Sequence, residues 1–150
     1  MKDLKEIKPY QHQVQYYETD QMGIAHHSNY IRWFEEARSY ILTQIGMGYE
    51  KMEEMGIISP VLSVSAKYKT MTHYYDIVNV DLEVTKYNGI KLSIKYTISD
   101  SKTGEIRCVG TSDHCFLDRE GKPMSLKRTY PEVDAILEQF NGNLLNDKNN

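Results

Sequence analysis

The chain has 150 residues, 40% of them hydrophobic and 26% charged, and its 18 basic against 21 acidic side chains leave a formal net charge of −3. That length suits one domain with its own core and is too short for two ordinary ones. The charge balance excludes broad electrostatic binding to nucleic acid or to an anionic membrane, and no apolar run approaches the ~20 residues of a membrane-spanning helix.

The opening Met1-Lys2-Asp3-Leu4-Lys5-Glu6 carries charges with no apolar stretch behind them. It lacks the form of a secretory signal, so a cytoplasmic protein is expected. Residues 10–18 then alternate as a first strand, with Tyr10, His12, Val14 and Tyr16 on one face and Gln11, Gln13 and Gln15 on the other. A loop with Asp20 and Gly23 follows. From about His27, the residues Tyr30, Ile31, Phe34, Ala37, Ile41 and Ile45 recur at steps of three and four. This predicts a long helix with one apolar stripe, ending near Gly46 or Gly48. Tyr49 to Met55 reads as a shorter helix stopped by Gly56.

Three segments with a period of two come next and predict half-buried strands: Pro60 to Tyr68, Val78 to Val84, and Ile90 to Ile98. Asn88-Gly89 predicts a two-residue type I′ hairpin between the last two and fixes them antiparallel. Residues 105–117 form a further strand, whose blurred alternation predicts burial on both faces. The odd separation of Cys108 and Cys115 puts them on opposite faces of it, and both read as inert packing groups. Val133, Ile136, Leu137 and Phe140 predict a short amphipathic helix with Pro131 in its first turn. A single domain over residues 1–140 and a polar tail over 141–150 complete the reading.

The order of strand, long helix and four strands has no crossover helices and so excludes a parallel βαβ arrangement. It predicts an α+β fold, an antiparallel sheet of about five strands curled round one long helix. A sheet face covered by a single helix favours pairing of two chains to enclose a ligand cleft.

Titratable groups concentrate between the first strand and the long helix, from Tyr16 to Tyr30. Asp20 lies just before the helix, whose unpaired N–H groups and positive dipole end suit an oxygen on which charge develops. Gly23 permits a turn or a close backbone approach. On pattern alone the same residues are an ordinary turn, with the carboxylate as cap or dipole partner. His26-His27 has no third ligand at a suitable spacing, so no metal is expected. His12, His73 and His114 stand alone and read as structural or solvated, and Glu35, Glu36, Arg32 and Arg38 read as a solvated helix face with ion pairs. There is no Gly-rich phosphate loop and no serine nucleophile motif.

The run Tyr17-Glu18-Thr19-Asp20, followed by Gly23, His27, Tyr30 and Glu35-Glu36-Ala37-Arg38, resembles the 4-hydroxybenzoyl-CoA thioesterase-like family of hotdog proteins, and within it the short-chain acyl-CoA thioesterases. The resemblance extends from about residue 10 to about 135 and includes Ser59-Pro60 and Tyr74-Tyr75-Asp76. It implies the hotdog fold, a homodimer with clefts between its subunits, and often a homotetramer. It also implies Asp20 as the catalytic carboxylate, acting as general base or nucleophile, and the His27 N–H as the group that polarises the carbonyl. The His27 imidazole would assist proton handling, Gly23, Tyr30 and Ser59 would contact substrate, and Lys86 and Lys91 would meet the CoA phosphates. The implied reaction is hydrolysis of an acyl-CoA thioester to a carboxylic acid and free CoA, with CoA as part of the substrate and no separate cofactor. An acyl-carrier-protein thioesterase is the competing enzyme and an acyl-CoA-binding module the non-catalytic alternative. Turnover of matched CoA and carrier-protein thioesters separates the first, and saturable binding without thiol release would mark the second.

Overall fold

The computed structural model describes residues 7–145. Among these, β1 (Tyr10–Gln13), β2 (Val61–Tyr68), β3 (Ile77–Tyr87), β4 (Lys91–Asp100) and β5 (Ile106–Cys115) form one antiparallel sheet in the order β1-β3-β4-β5-β2. The helices are α1 (Ser28–Gln44), α2 (Tyr49–Met55), α3 (Leu126–Thr129) and α4 (Pro131–Phe140). This is the expected α+β arrangement of a sheet wrapped on one long helix.

The apolar stripe of α1 meets the apolar face of the central strands. Trp33, Phe34, Ala37 and Ile41 are buried against Val78, Val80, Leu82, Ile94, Tyr96 and Ile98 in one core, to which α4 adds Val133, Leu137 and Phe140. Phe34 stacks on Tyr96 with ring centroids 4.4 Å apart. It reaches that depth because β5 carries Gly110 beneath it, where a Cβ would sit 2.4 Å from the Ser65 carbonyl oxygen and 2.5 Å from the Phe34 ring. Burial of one such aromatic side chain stabilises the fold by about 1.5–3 kcal/mol.

Several elements depart from the sequence reading. The first strand ends at Gln13, and Tyr16–Glu18 forms a 3-10 turn. Glu18 causes this: its Oε1 accepts the Gln15 N–H at 2.8 Å while its own N–H donates to the Gln15 carbonyl at 3.0 Å, which curls the chain and leaves Tyr16 and Tyr17 exposed. The β3–β4 turn is not type I′, which needs positive φ at two residues. Gly89 alone has it, at 88°; Asn88 Oδ1 accepts the N–H groups of Ile90 and Lys91, so the turn centres on Gly89-Ile90 and Ile90 points outward.

Strand β5 alternates after all. Cys108, Gly110, Ser112 and His114 are buried and the residues between them are less so. The alternation is blurred in sequence because the inner positions hold small or polar side chains. Strand β2 is the larger surprise, since it is an edge strand exposed along almost its whole length despite its regular pattern. Residues 141–145 run along β3, where Gly142 N–H donates to the Val84 carbonyl at 2.7 Å and Leu145 N–H to the Leu82 carbonyl at 2.8 Å. The remainder of the expected tail, 146–150, lies outside the described residues, as does the charged opening segment, 1–6.

Candidate active site

The loop between the 3-10 turn and α1 is closed on itself. Asp20 N–H donates to the Ile24 carbonyl at 3.0 Å and Gly23 N–H to the Asp20 carbonyl at 2.9 Å, a tight reversal that Gly23 enters at φ 78°. Asp20 Oδ1 accepts the Met22 N–H at 2.8 Å, and among the described residues Oδ2 has no hydrogen-bond partner. Asp20 therefore does not cap α1. The N-cap position is held by His27, without a side-chain cap bond, and the preceding His26 accepts the Ser28 N–H on Nδ1 at 3.2 Å and the Asn29 N–H on its carbonyl at 3.0 Å.

That arrangement leaves the next amide uncommitted. The His27 N–H has no protein acceptor among the described residues, while the His27 carbonyl accepts the Tyr68 hydroxyl at 3.1 Å. Asp20, His27 and Tyr30 line one cavity of about 230 Å³, walled by Met22, Tyr68 and Met71. The Tyr30 hydroxyl is turned away to Thr72 Oγ1 at 3.0 Å, so Tyr30 offers the cavity its ring. The rings of Tyr30 and Tyr68 meet edge to face at 5.2 Å. Asp20 also lines a second, more polar cavity of about 470 Å³ with Tyr17, His26 and Arg32. Asp20 thus stands between an apolar chamber and a polar one. Gly23 shapes the loop but is not part of either wall.

Ser59, Lys86 and Lys91 are elsewhere. Lys86 and Lys91 line a cavity of about 770 Å³ at the opposite end of the sheet, together with Ser63, Ser93 and Asp113. Ser59 precedes β2 at that same end, whereas Tyr68 finishes β2 at the Asp20 cavity. Nine residues of extended chain separate the two, roughly 30 Å. The residues implied by one substrate contact are split between two ends of one molecule.

Four side chains gained significance that the sequence did not signal. Glu18 is 4% exposed, and its carboxylate takes hydrogen bonds from His12 Nε2 at 2.7 Å, Trp33 Nε1 at 2.7 Å and Gln15 N–H at 2.8 Å. Burial opposes its ionisation, yet these donors outweigh burial and hold it below the usual carboxylate range. His12 is accordingly not isolated, and Glu36 approaches its other ring nitrogen at 3.4 Å. Arg38 does not join a solvated ion-pair face: it is buried and donates to the hydroxyls of Tyr49 at 2.7 Å and Tyr96 at 2.9 Å. From Tyr96 the chain continues through Ser112 to His114 Nε2 at 2.7 Å. Burial, reinforced by Arg38, pushes the His114 imidazole down to about 4. The alternation read over residues 10–18 sets Glu18 on the face of Tyr10, His12, Val14 and Tyr16, but nothing in that pattern marks the donors it gathers from Gln15 and Trp33.

Residues 14–140 match the thioesterase-like superfamily. The chain is 36% identical over 128 residues to a Bacillus subtilis protein that carries the provisional name acyl-CoA thioesterase YneP, covering 85% of this chain and 92% of that one. It is 34% identical over 124 residues to an Aquifex aeolicus protein provisionally named an esterase, covering 83% of this chain and 94% of that one. A crystal structure of DHNA-CoA thioesterase from Staphylococcus aureus superposes with a TM-score of 0.81 at 33% identity, covering 87% of this chain and 88% of that one. With its curled antiparallel sheet, its long central helix and these relatives, the chain belongs to the thioesterase-like superfamily of hotdog proteins and, with it, to the thioester hydrolases.

Proposed function

We propose that the protein hydrolyses acyl-CoA thioesters to a carboxylic acid and free CoA at a site built round Asp20. One observation carries this reading: a carboxylate with an oxygen uncommitted among the described residues and a helix-terminal N–H with no acceptor among them share a cavity with apolar walls. The names borne by relatives from Bacillus subtilis and Staphylococcus aureus support CoA thioesters as the substrate class.

With the thioester carbonyl oxygen against the His27 N–H, charge developing on that oxygen meets a donor already in place, an effect of about 3 kcal/mol. The dipole of α1 acts in the same direction. Asp20 then follows one of two routes. As a general base it takes a proton from water as the water oxygen bonds to the acyl carbon; the C–S bond breaks and the proton passes to the CoA sulfur. As a nucleophile its free oxygen bonds to the acyl carbon, CoA leaves as the thiolate, and water opens the mixed anhydride. General-base assistance contributes on the order of a hundredfold or more. The His27 imidazole assists proton handling at the cavity wall, Tyr30 bounds the acyl group, and Gly23 keeps the loop tight enough to hold the acid in place.

The active unit is a homodimer, or a homotetramer of two such dimers. Val61, Leu62, Val64 and Tyr68 on β2 are 42–52% exposed, and among the described residues the outer edge of β2 has no strand partner. An edge of this kind invites pairing. Antiparallel pairing of two β2 strands about a two-fold axis exchanges their ends, so Ser59 of one copy comes beside Tyr68 and Lys69 of the other. Lys86 and Lys91 then supply cations for the CoA phosphates from across the interface. The protein acts in the cytoplasm, a location that suits Cys108 and Cys115, both free thiols. Among the described residues no helix is long and apolar enough to cross a membrane.

Asp20→Asn keeps size and removes the base. Thiol release from an acyl-CoA panel of short, long and aromatic chains should fall at least about a hundredfold with the melting temperature unchanged. Near-normal turnover by that variant would remove Asp20 from the chemistry. Matched carrier-protein thioesters in the same assay identify the physiological carrier.

A further inference from the structure

We infer that Glu18 is a positioning residue, whose buried carboxylate sets the separation between Asp20 and the His27 N–H. The inference rests on the hydrolytic role proposed for Asp20. A carboxylate in an apolar interior is strongly disfavoured without partners, and the three donors on Glu18 come from three different parts of the chain. His12 belongs to β1, Gln15 to the start of the 3-10 turn, and Trp33 to the buried face of α1. The main chain of the same residue completes the tie. Its carbonyl accepts the His26 N–H at 2.8 Å, one residue before the amide that polarises the thioester, and the Asn29 side-chain amide at 2.8 Å, in the first turn of α1.

Asp20 follows two residues later, in a loop pinned by the Thr19 to Ala25 bridge. One residue therefore locks strand, loop and helix together at the point where acid and oxyanion donor must agree. The carboxylate is fully occupied by interior donors, so it acts through Asp20 rather than on substrate. A misplacement of 1 Å at such a site costs about a hundredfold in rate. The neighbouring charged or titratable groups are Glu36 of α1, whose Oε2 lies 3.4 Å from His12 Nδ1, and Tyr10 of β1, whose hydroxyl lies 3.3 Å from the same nitrogen.

The test is a mutant cycle with a built-in reporter. Glu18→Gln keeps the shape, and the one tryptophan of the chain donates to Glu18, so its indole N–H resonance reports whether the contact is altered. We expect kcat to fall about tenfold to a hundredfold with KM within about twofold, alongside a shifted indole resonance. In an Asp20→Asn background, whose residual turnover is read at raised enzyme concentration, Glu18→Gln should cost almost nothing further, because it acts through the acid already removed. Normal kcat in Glu18→Gln, or an equal fold-loss in both backgrounds, overturns the positioning role and leaves Asp20 in place. Normal turnover in Asp20→Asn instead overturns the hydrolytic reading itself and this inference with it. Should Glu18→Gln fail to fold, His12→Phe removes one donor from outside the site; run through the same cycle, it supports or overturns the positioning role by the same changes in kcat.

Discussion

Asp20 and Asp113 lie at opposite ends of β2 and β5, each on the wall of a cavity, yet their oxygens are committed differently. Asp113 Oδ2 accepts the Ser63 hydroxyl and Oδ1 the Ser93 hydroxyl, both at 2.6 Å, and these bonds hold its carboxyl below the usual range. Asp20 spends one oxygen on its own loop and, among the described residues, keeps the other. The comparison shows that a carboxylate in a cleft is ready for chemistry only where its neighbours leave it underbonded. The two ends are also lined differently: the Asp20 end has the acid, the amide and the apolar wall, and the hairpin end has the lysines. In the proposed dimer each end supplies half of a site.

The sharpest way to break that comparison is to keep two copies apart. Val64→Lys places a charge on the exposed apolar face of β2 and should convert a dimer to monomers in sedimentation equilibrium. It should lower kcat/KM about a hundredfold, a misplacement-sized loss, if the halves come from different copies. A monomeric parent protein with full turnover would refute the shared site.

Acid should separate the two ends next. His114 is buried and neutral, with its folded pKa lowered to about 4 by burial and Arg38. The unfolded chain binds that proton more readily, so stability is fully present above about pH 6.5 and is lost as pH falls toward 4, amounting to about 3 kcal/mol. Glu18 is lowered from the ordinary carboxylate value, so its contribution persists to more acid pH and is lost only below that range. Denaturant melts across this span should show the loss, and hydrogen exchange should find the hairpin end opening first. His114→Gln should flatten the upper limb of the profile.

A change midway between the ends should harm both alike. Gly110→Ala sets a methyl against a backbone oxygen that cannot retreat and against Phe34. Overpacking of this kind costs about 1–3 kcal/mol, visible as a lower denaturation midpoint with kcat nearly preserved in the folded fraction. The smallest effect belongs to the cations: Lys86→Ala and Lys91→Ala should each raise KM a few-fold, about 0.2–1 kcal/mol for an exposed pair. That increase should shrink with added salt and leave kcat alone.

Local pattern was enough for the elements whose burial follows from their own side chains. The step of three and four from Tyr30 to Ile45 marked α1, and the alternation from Val78 to Val84 marked β3, because both periods are properties of the backbone itself. The same reasoning put Asp20 and the helix start side by side, since only six residues separate Asp20 from His27. It misjudged β2 because alternation reports the chemistry of a strand and says nothing of what lies across from it. It blurred β5 because Gly110, Ser112 and His114 are inner residues chosen for fit to Phe34 and Tyr96, a match visible only with both partners in place. Glu18 was hidden for a related reason, as its three donors are spread from His12 to Trp33 and converge only after the chain has turned.

The sequence by itself determined the periods, the α+β order, the tight turn at Gly23 and an acid just ahead of a helix, all set within a few residues of one another. Only the tertiary structure decided which oxygen of Asp20 is bonded within its own loop, that Asp20 does not cap α1, and that the lysines lie a strand's length from the acid. Those features depend on hydrogen-bond partners and distances between segments remote in the chain, and such pairings are selected by the packed whole.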